Sequence, residues 1–276
     1  MKRESHAVLF GIEYLNSDAA LPGCTNDVKN MGILLSQKAG YDVVNVYTEQ
    51  GTPDHVTRRG MEYVLWELIA TSYTKDLANV WIHFAGHGGG QRDQKNGGDE
   101  KDGQDEYICP VDYVKNGVLT DDQFGHMLKF FNPNTKVVCV FDSCRSGTMG
   151  DLPFVYMTQG KKMGVDTSHP SNVIMLSACR ALSVTNFNGN NVSTGLMTSS
   201  LIECIRYRQP VMVKSVIKDV HELLVQRGYK QVPVITSSRP VEDHTILLRY
   251  TEREYEWCPT VVSFGWDMGG LMSSFI

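Results

Sequence analysis

The sequence predicts an α/β fold, a layered sandwich around a mainly parallel sheet. Three observations predict it. Short apolar runs rich in Val and Ile recur along the 276 residues, and most lack the strict alternation of half-exposed strands. Longer stretches with helical spacing lie between them, and strand–helix alternation builds parallel sheets. No internal repeat, low-complexity tract or long linker interrupts the pattern.

Taken in order, the predicted strands are Ala7–Ile12, Val43–Tyr47, Val80–Ala85, Val137–Phe141, Val173–Leu176 and Val232–Ile235. The predicted helices are Asp27–Lys38, His55–Ser72, Asp121–Phe131, Thr194–Arg208 and Val211–Arg227. Two segments break the rhythm and are expected to be surface loops. Gly88–Asp105 is glycine-rich, polar and acidic; Gly147–Pro170 is irregular and carries the basic pair Lys161–Lys162. The second marks a boundary between a larger portion, 1–160, and a smaller one, 161–250, of the same domain. The tail 251–276 has apolar patches interrupted by Asp267 and glycines, and is expected to dock on the body of the protein.

The hydrophobic share of 42% and charged share of 21% are those of a soluble globular chain. A net charge of −5 argues against a nucleic-acid partner, which calls for a basic stripe. The seven cysteines show no C-x-x-C spacing, and the opening MKRESHAVLF has no long apolar core of a leader peptide. A reducing, cytoplasmic setting with free thiols is the simplest expectation. No run approaches the roughly 18 apolar residues of a membrane span, so no membrane partner is expected. A monomer is expected.

Two strand ends carry chemistry. The run Val80–Gly90 (VWIHFAGHGGG) ends a buried strand in a histidine among glycines. Active sites of open parallel sheets form beyond the carboxyl ends of strands, and glycines let substrate backbone approach. Gly88 could offer its N–H to a developing oxyanion. Alone, the run reads rather as a glycine turn with His87 incidental. The run Val137–Gly147 (VVCVFDSCRSG) is a second buried strand ending in a polar turn with Cys144. A thiol and an imidazole from two strands on one sheet edge are what nucleophilic cysteine catalysis requires. The imidazole lowers the thiol pKa and can protonate the leaving amine.

These residues resemble a known family, the metacaspases, caspase-like peptidases of plants, fungi, protists and bacteria. The resemblance rests on Gly11–Tyr14 (GIEY), Leu21–Val28 (LPGCTNDV), Ala85–Gly89 (AGHGG), Asp99–Asp112 (DEKDGQDEYICPVD), Asp121-Asp122, Asp142–Gly147 (DSCRSG) and Asp151–Pro153 (DLP). They stand in the family's order across about the first 155 residues. The part from Val173 to Leu248 fits the small-subunit region more loosely, and the last 26 residues match nothing named. The resemblance implies a caspase-like α/β/α sandwich of compact type I arrangement without an N-terminal prodomain.

The resemblance also implies roles. The catalytic dyad is His87 and Cys144, with the N–H groups of Gly88 and Cys144 as oxyanion hole. The protein or peptide substrate is cut after Arg or Lys, whose basic head meets Asp27 and Asp142, with Cys24 and Ala85 in the pocket wall. Two carboxylates suit the five donors of a guanidinium. Asp105, Asp121, Asp122 and Asp151 match calcium positions, and hard oxygen ligands suit Ca²⁺. Read alone, Asp121 and Asp122 are also the first turn of a helix capped by Thr120. A peptidase that cuts after basic residues could cut its own loop at Lys161 or Lys162.

Three positions depart from the family's pattern. Arg145 stands where His usually follows the cysteine, Ala85 where Ser usually lines the pocket, and Ser177–Ser183 where an acid-containing turn is more common. Two alternatives stay open on sequence grounds: a catalytically silent caspase-like scaffold, and a caspase-fold peptidase with another specificity. An acidic pocket disfavours Asp beside the cut bond, since buried like charges repel.

Overall fold

The computed structural model describes residues 2–92, 104–143, 149–150, 152–157, 160–163, 169–178, 184–186, 193–206, 208, 210–229, 232–249 and 262–263. In chain order its larger elements begin with β1 (Ser5–Gly11), α1 (Cys24–Gln37), β2 (Val43–Thr48), α2 (Arg58–Thr74), β3 (Asn79–Ala85) and β4 (Gly88–Arg92). Next come β5 (Gln104–Ile108), α3 (Tyr113–Asn116), β6 (Leu119–Thr120), α4 (Asp121–Leu128), β7 (Lys136–Asp142), β8 (Phe154–Met157) and β9 (Gly160–Met163). They are followed by β10 (Asn172–Ala178), β11 (Val184–Asn186), β12 (Ser193–Gly195), α5 (Leu196–Arg206), β13 (Val211–Met212) and α6 (Val213–Gln226). The last are β14 (Pro233–Ser237), β15 (Ile246–Leu248) and β16 (Val262–Ser263).

A nine-stranded sheet organises the fold, in the order β16-β2-β1-β3-β7-β10-β14-β8-β9. It is parallel from β16 to β10, and β14, β8 and β9 then add antiparallel. Consecutive residues of β1, β3 and β7 are buried, so both faces of these strands are covered. This explains their nearly unbroken apolar sequence. Helices α1, α5 and α6 pack side by side. The chain runs from β1 out to β2 and back across to β3. The crevice beyond the carboxyl ends of β1 and β3 is therefore a switch point, where open α/β sheets place their sites.

Local chemistry explains the helix ends. Gly23 precedes α1 at φ 112°, a left-handed conformation that a side chain resists, and α1 starts three residues before the predicted Asp27. Thr57 accepts the Gly60 N–H at the start of α2, so this helix begins after the short 3-10 turn Pro53–Val56. Thr120 and Gln123 form a capping box on α4.

Two expected loops prove partly regular. Gly88–Arg92 and Gln104–Ile108 pair antiparallel and, with β6, make a small three-stranded sheet. Glycine content hid β4, because three of its five residues lack side chains. Phe154–Met157 and Gly160–Met163 pair with each other, and β8 also joins β14. The expectation of an irregular Gly147–Pro170 is corrected here: its middle forms the edge of the main sheet. Of the tail, Val262–Ser263 pair with β2, in keeping with docking on the body.

Candidate active site

Strands β3 and β7 are parallel neighbours, with Ala85 opposite Asp142. Beyond the last pair, the Gly86 N–H donates to the Asp142 carbonyl at 3.3 Å. His87 follows Ala85 by two residues, and Cys144 follows Asp142 by two. The strand ends that precede the two chemistry-bearing positions in sequence thus lie side by side on one edge of the sheet. Cys144 itself lies outside the described residues, as do 145–148; Ser143 before it is buried.

The His87 ring is held by groups that its own motif does not announce. Its Nε2 lies 2.7 Å from the Ala19 carbonyl oxygen. A carbonyl only accepts, so Nε2 carries the proton and Nδ1 is the basic nitrogen of the neutral ring. The Tyr14 ring packs against the imidazole at a centroid distance of 4.6 Å. The Tyr14 hydroxyl accepts the His87 N–H at 2.8 Å and donates to the Cys109 carbonyl at 2.7 Å. Tyr14 sits at φ 51°, and the carboxylate of Glu49 anchors this turn by accepting the N–H groups of Glu13, Tyr14 and Leu15.

Gly88 is opposite Ile108, and the Cys109 N–H donates to the His87 carbonyl at 2.9 Å. That bond makes Gly88–Ile108 a non-hydrogen-bonded pair, so the Gly88 N–H is not spent in the β4–β5 ladder.

Asp27 and Asp142 meet at the start of α5. The Gly195 N–H donates to Asp27 Oδ2 at 2.6 Å, and the Thr198 N–H to Asp142 Oδ2 at 2.7 Å. Both carboxyls are almost completely buried, at 2% and 0% exposure. Burial pushes both pKa values up, the Asp142 charge pushes Asp27 further, and the N–H groups of Gly195 and Thr198 oppose the rise. Gly195 fits because it has no side chain: a Cβ there would lie 2.4 Å from Asp142 Oδ2 and 2.8 Å from Asp27 Oδ2. Cys24, one turn before Asp27, is buried, and burial together with the Asp27 and Asp142 charges raises its thiol far above the usual range. Ala85 is buried opposite Asp142.

Of the four acids matched to calcium, Asp121 and Asp122 are described with their side chains, at the start of α4. Asp121 is buried at the start of α4; its Oδ2 accepts the Glu106 N–H at 2.6 Å and its Oδ1 the Asp122 N–H at 2.8 Å. Position 105 is therefore one residue from the Asp121 carboxylate. Gly150, just before position 151, packs on the same helix, its carbonyl oxygen 3.0 Å from where a Gly125 Cβ would be. The Asp105 side chain and all of Asp151 lie outside what is described, and no three potential ligands cluster among the described residues. Carboxylate oxygens are hard donors and fit a calcium ion in kind.

Lys161 and Lys162 lie in β9, opposite Tyr156 and Val155; their side chains lie outside the described set. Residues 179–183 do too. Sequence reasoning missed Ala19, Tyr14, Glu49, Gly195 and Thr198. Tyr14 stood inside a quoted motif, GIEY, yet a lone tyrosine gave no reason to place it against His87. The others act through backbone groups or a distant contact and leave no sequence signal.

The pattern that defines the caspase domain matches residues 4–244. Metacaspase-2 of Trypanosoma brucei brucei is 30% identical over 89% of this chain and 77% of its own length. Metacaspase-1B of Aspergillus oryzae is 40% identical over 56% of this chain; the matched stretch is 37% of that protein, and the other fungal relatives are covered similarly. A crystal structure of a Geobacter sulfurreducens protein superposes with a TM-score of 0.61 at 19% identity, covering 89% of this chain and 97% of that one, a likeness of fold. With the caspase-domain pattern matched over most of the chain and the trypanosome metacaspase matched over most of both lengths, the chain belongs to the caspase-domain family, among the metacaspases.

Proposed function

We propose that this chain is a cysteine endopeptidase that cuts after Arg or Lys, with Cys144 as nucleophile and His87 as its acid–base partner. One observation supports the reading: the adjacent parallel strands end side by side at Ala85 and Asp142, two residues before His87 and Cys144 in sequence, and the Ala19 carbonyl orients the imidazole. In the reaction, Nδ1 of His87 takes the thiol proton as sulfur attacks the scissile carbonyl. The oxyanion accepts from the N–H groups of Gly88 and Cys144. His87 then protonates the leaving amine, and water hydrolyses the thioester by the same proton path.

Asp27 and Asp142 receive the basic side chain before the cut bond. Their buried carboxyls resist ionisation when alone, and an entering guanidinium offsets that penalty. Both are covered in this structure, so entry requires the chain around Gly195 to yield. Calcium would be held by Asp105, Asp121, Asp122 and Asp151; it would offset the repulsion among these carboxylates and fix the chain around them. Self-cutting at Lys161–Lys162 is part of the same proposal. Because β9 pairs with β8, the edge must open before a scissile bond enters the site. No helix among the described residues is long and apolar enough to cross a membrane.

A peptide library varied at the residue before the cut, run at several calcium concentrations, tests the reading. Selective cleavage after Arg and Lys that rises with calcium is expected; preference for Asp or Asn would overturn the pocket assignment.

A further inference from the structure

At the amino-terminal ends of the parallel strands, opposite the site described, the protein has a second cleft of about 510 Å³. Lys2, Arg3, Lys136 and Arg249 line it, and among the described residues no carboxylate does. Lys136 opens β7, so it lies about 20 Å from the Asp142 end of that strand.

The cations are unequally engaged. Arg3 is spent on the Asp76 carboxylate and on the carbonyls of Asp76, Leu77 and Asn134. Lys2 reaches Asp42 only at 3.9 Å and is largely exposed. Lys136 Nζ donates to the carbonyls of Ile246 and Leu247 at 3.2 and 2.9 Å, which leaves one of three ammonium donors. Among the described residues no carboxylate pairs with Lys136. Burial and the neighbouring Arg249 charge push its pKa down to about 8, as expected of an ammonium in a positive field with no anion to offset it. Arg249 is exposed at the rim.

We propose that this cleft binds a small anion carrying two or more phosphoryl groups. The arginine fork matches tetrahedral phosphate oxygens, the ammonium groups act as point charges, and several separated cations suit linked phosphates better than one compact anion. The site is independent of the peptidase reading.

Calorimetric titration of the full chain with inorganic pyrophosphate tests it, with citrate as a polyanion of different chemistry. Saturable binding is expected, weakening with added salt and falling at least about tenfold in Lys136→Met and in Arg249→Ala. Citrate is expected to bind much less tightly. Arg249 is exposed, so its variant keeps the test alive if Lys136→Met fails to fold. No binding, binding unchanged in a folded variant, or citrate binding as tightly as pyrophosphate would overturn the proposal.

Discussion

Ala85 and Asp142 face each other across β3 and β7, and Asp142 Oδ1 is buried with no hydrogen-bond partner among the described residues. The other oxygen, Oδ2, is satisfied by Thr198. A buried acceptor without a donor is unfavourable, and substrate would supply the missing donor. Ala85 cannot, because its side chain ends at Cβ.

Ala85→Ser should place a hydroxyl in the pocket wall, where its oxygen adds one acceptor for the substrate's basic head. The expected result is a lower KM for Arg peptides, by about two- to tenfold, the worth of one hydrogen bond of about 0.5–1.5 kcal/mol. Steady-state kinetics on matched Arg and Lys peptides measures it. An unchanged KM in a folded variant would place Ala85 outside the pocket wall.

Asp27→Asn should separate stability from function. The Asp27 carboxyl has a folded pKa raised above its unfolded value, chiefly by burial. Within the window between the two values the native state holds a proton that the unfolded chain has lost. Wild-type stability therefore falls as pH rises through that window and stays lowered above it. Asparagine retains an oxygen for the Gly195 N–H and has no charge to bury. Thermal unfolding across pH should show the variant gaining on wild type above the window and not below pH 4, while cleavage after Arg drops sharply. Parallel curves would show that Asp27 ionises without penalty.

Calcium binding should depend on the corner at the start of α4. Asp121→Ala removes both the acceptor of the Glu106 N–H and a proposed ligand, so it should lose stability and calcium affinity together. Asp122→Ala should lose affinity with less effect on stability. Calorimetry on both variants, with mass spectrometry of calcium-loaded wild type for a cut near Lys161–Lys162, provides the check. Unchanged affinity in both would remove these residues from the site.

Legibility in the sequence divides by mechanism. The six predicted strands and five helices are present because burial on both faces, or on one stripe, writes itself into apolar spacing. Strand β4 was hidden because glycine carries no pattern, and β9 because an edge strand needs little apolar character; β8 is apolar but only four residues long, within a segment dominated by turn residues. In the site, His87, Gly88, Asp27 and Asp142 were legible as strand ends and family motifs. The Ala19 carbonyl, the N–H groups of Gly195 and Thr198, and the Glu49 anchor were not. Backbone donors and acceptors are common to every residue, so only the folded chain reveals which ones are used.

Hydrolysis of an Arg-terminated fluorogenic peptide by wild type, Cys144→Ala and His87→Ala, with calcium, tests the central claim most directly. A Cys–His dyad acts as a unit, so on the proposed mechanism each substitution should abolish turnover nearly as completely as the other while the fold persists. Substantial activity in folded Cys144→Ala would contradict the account.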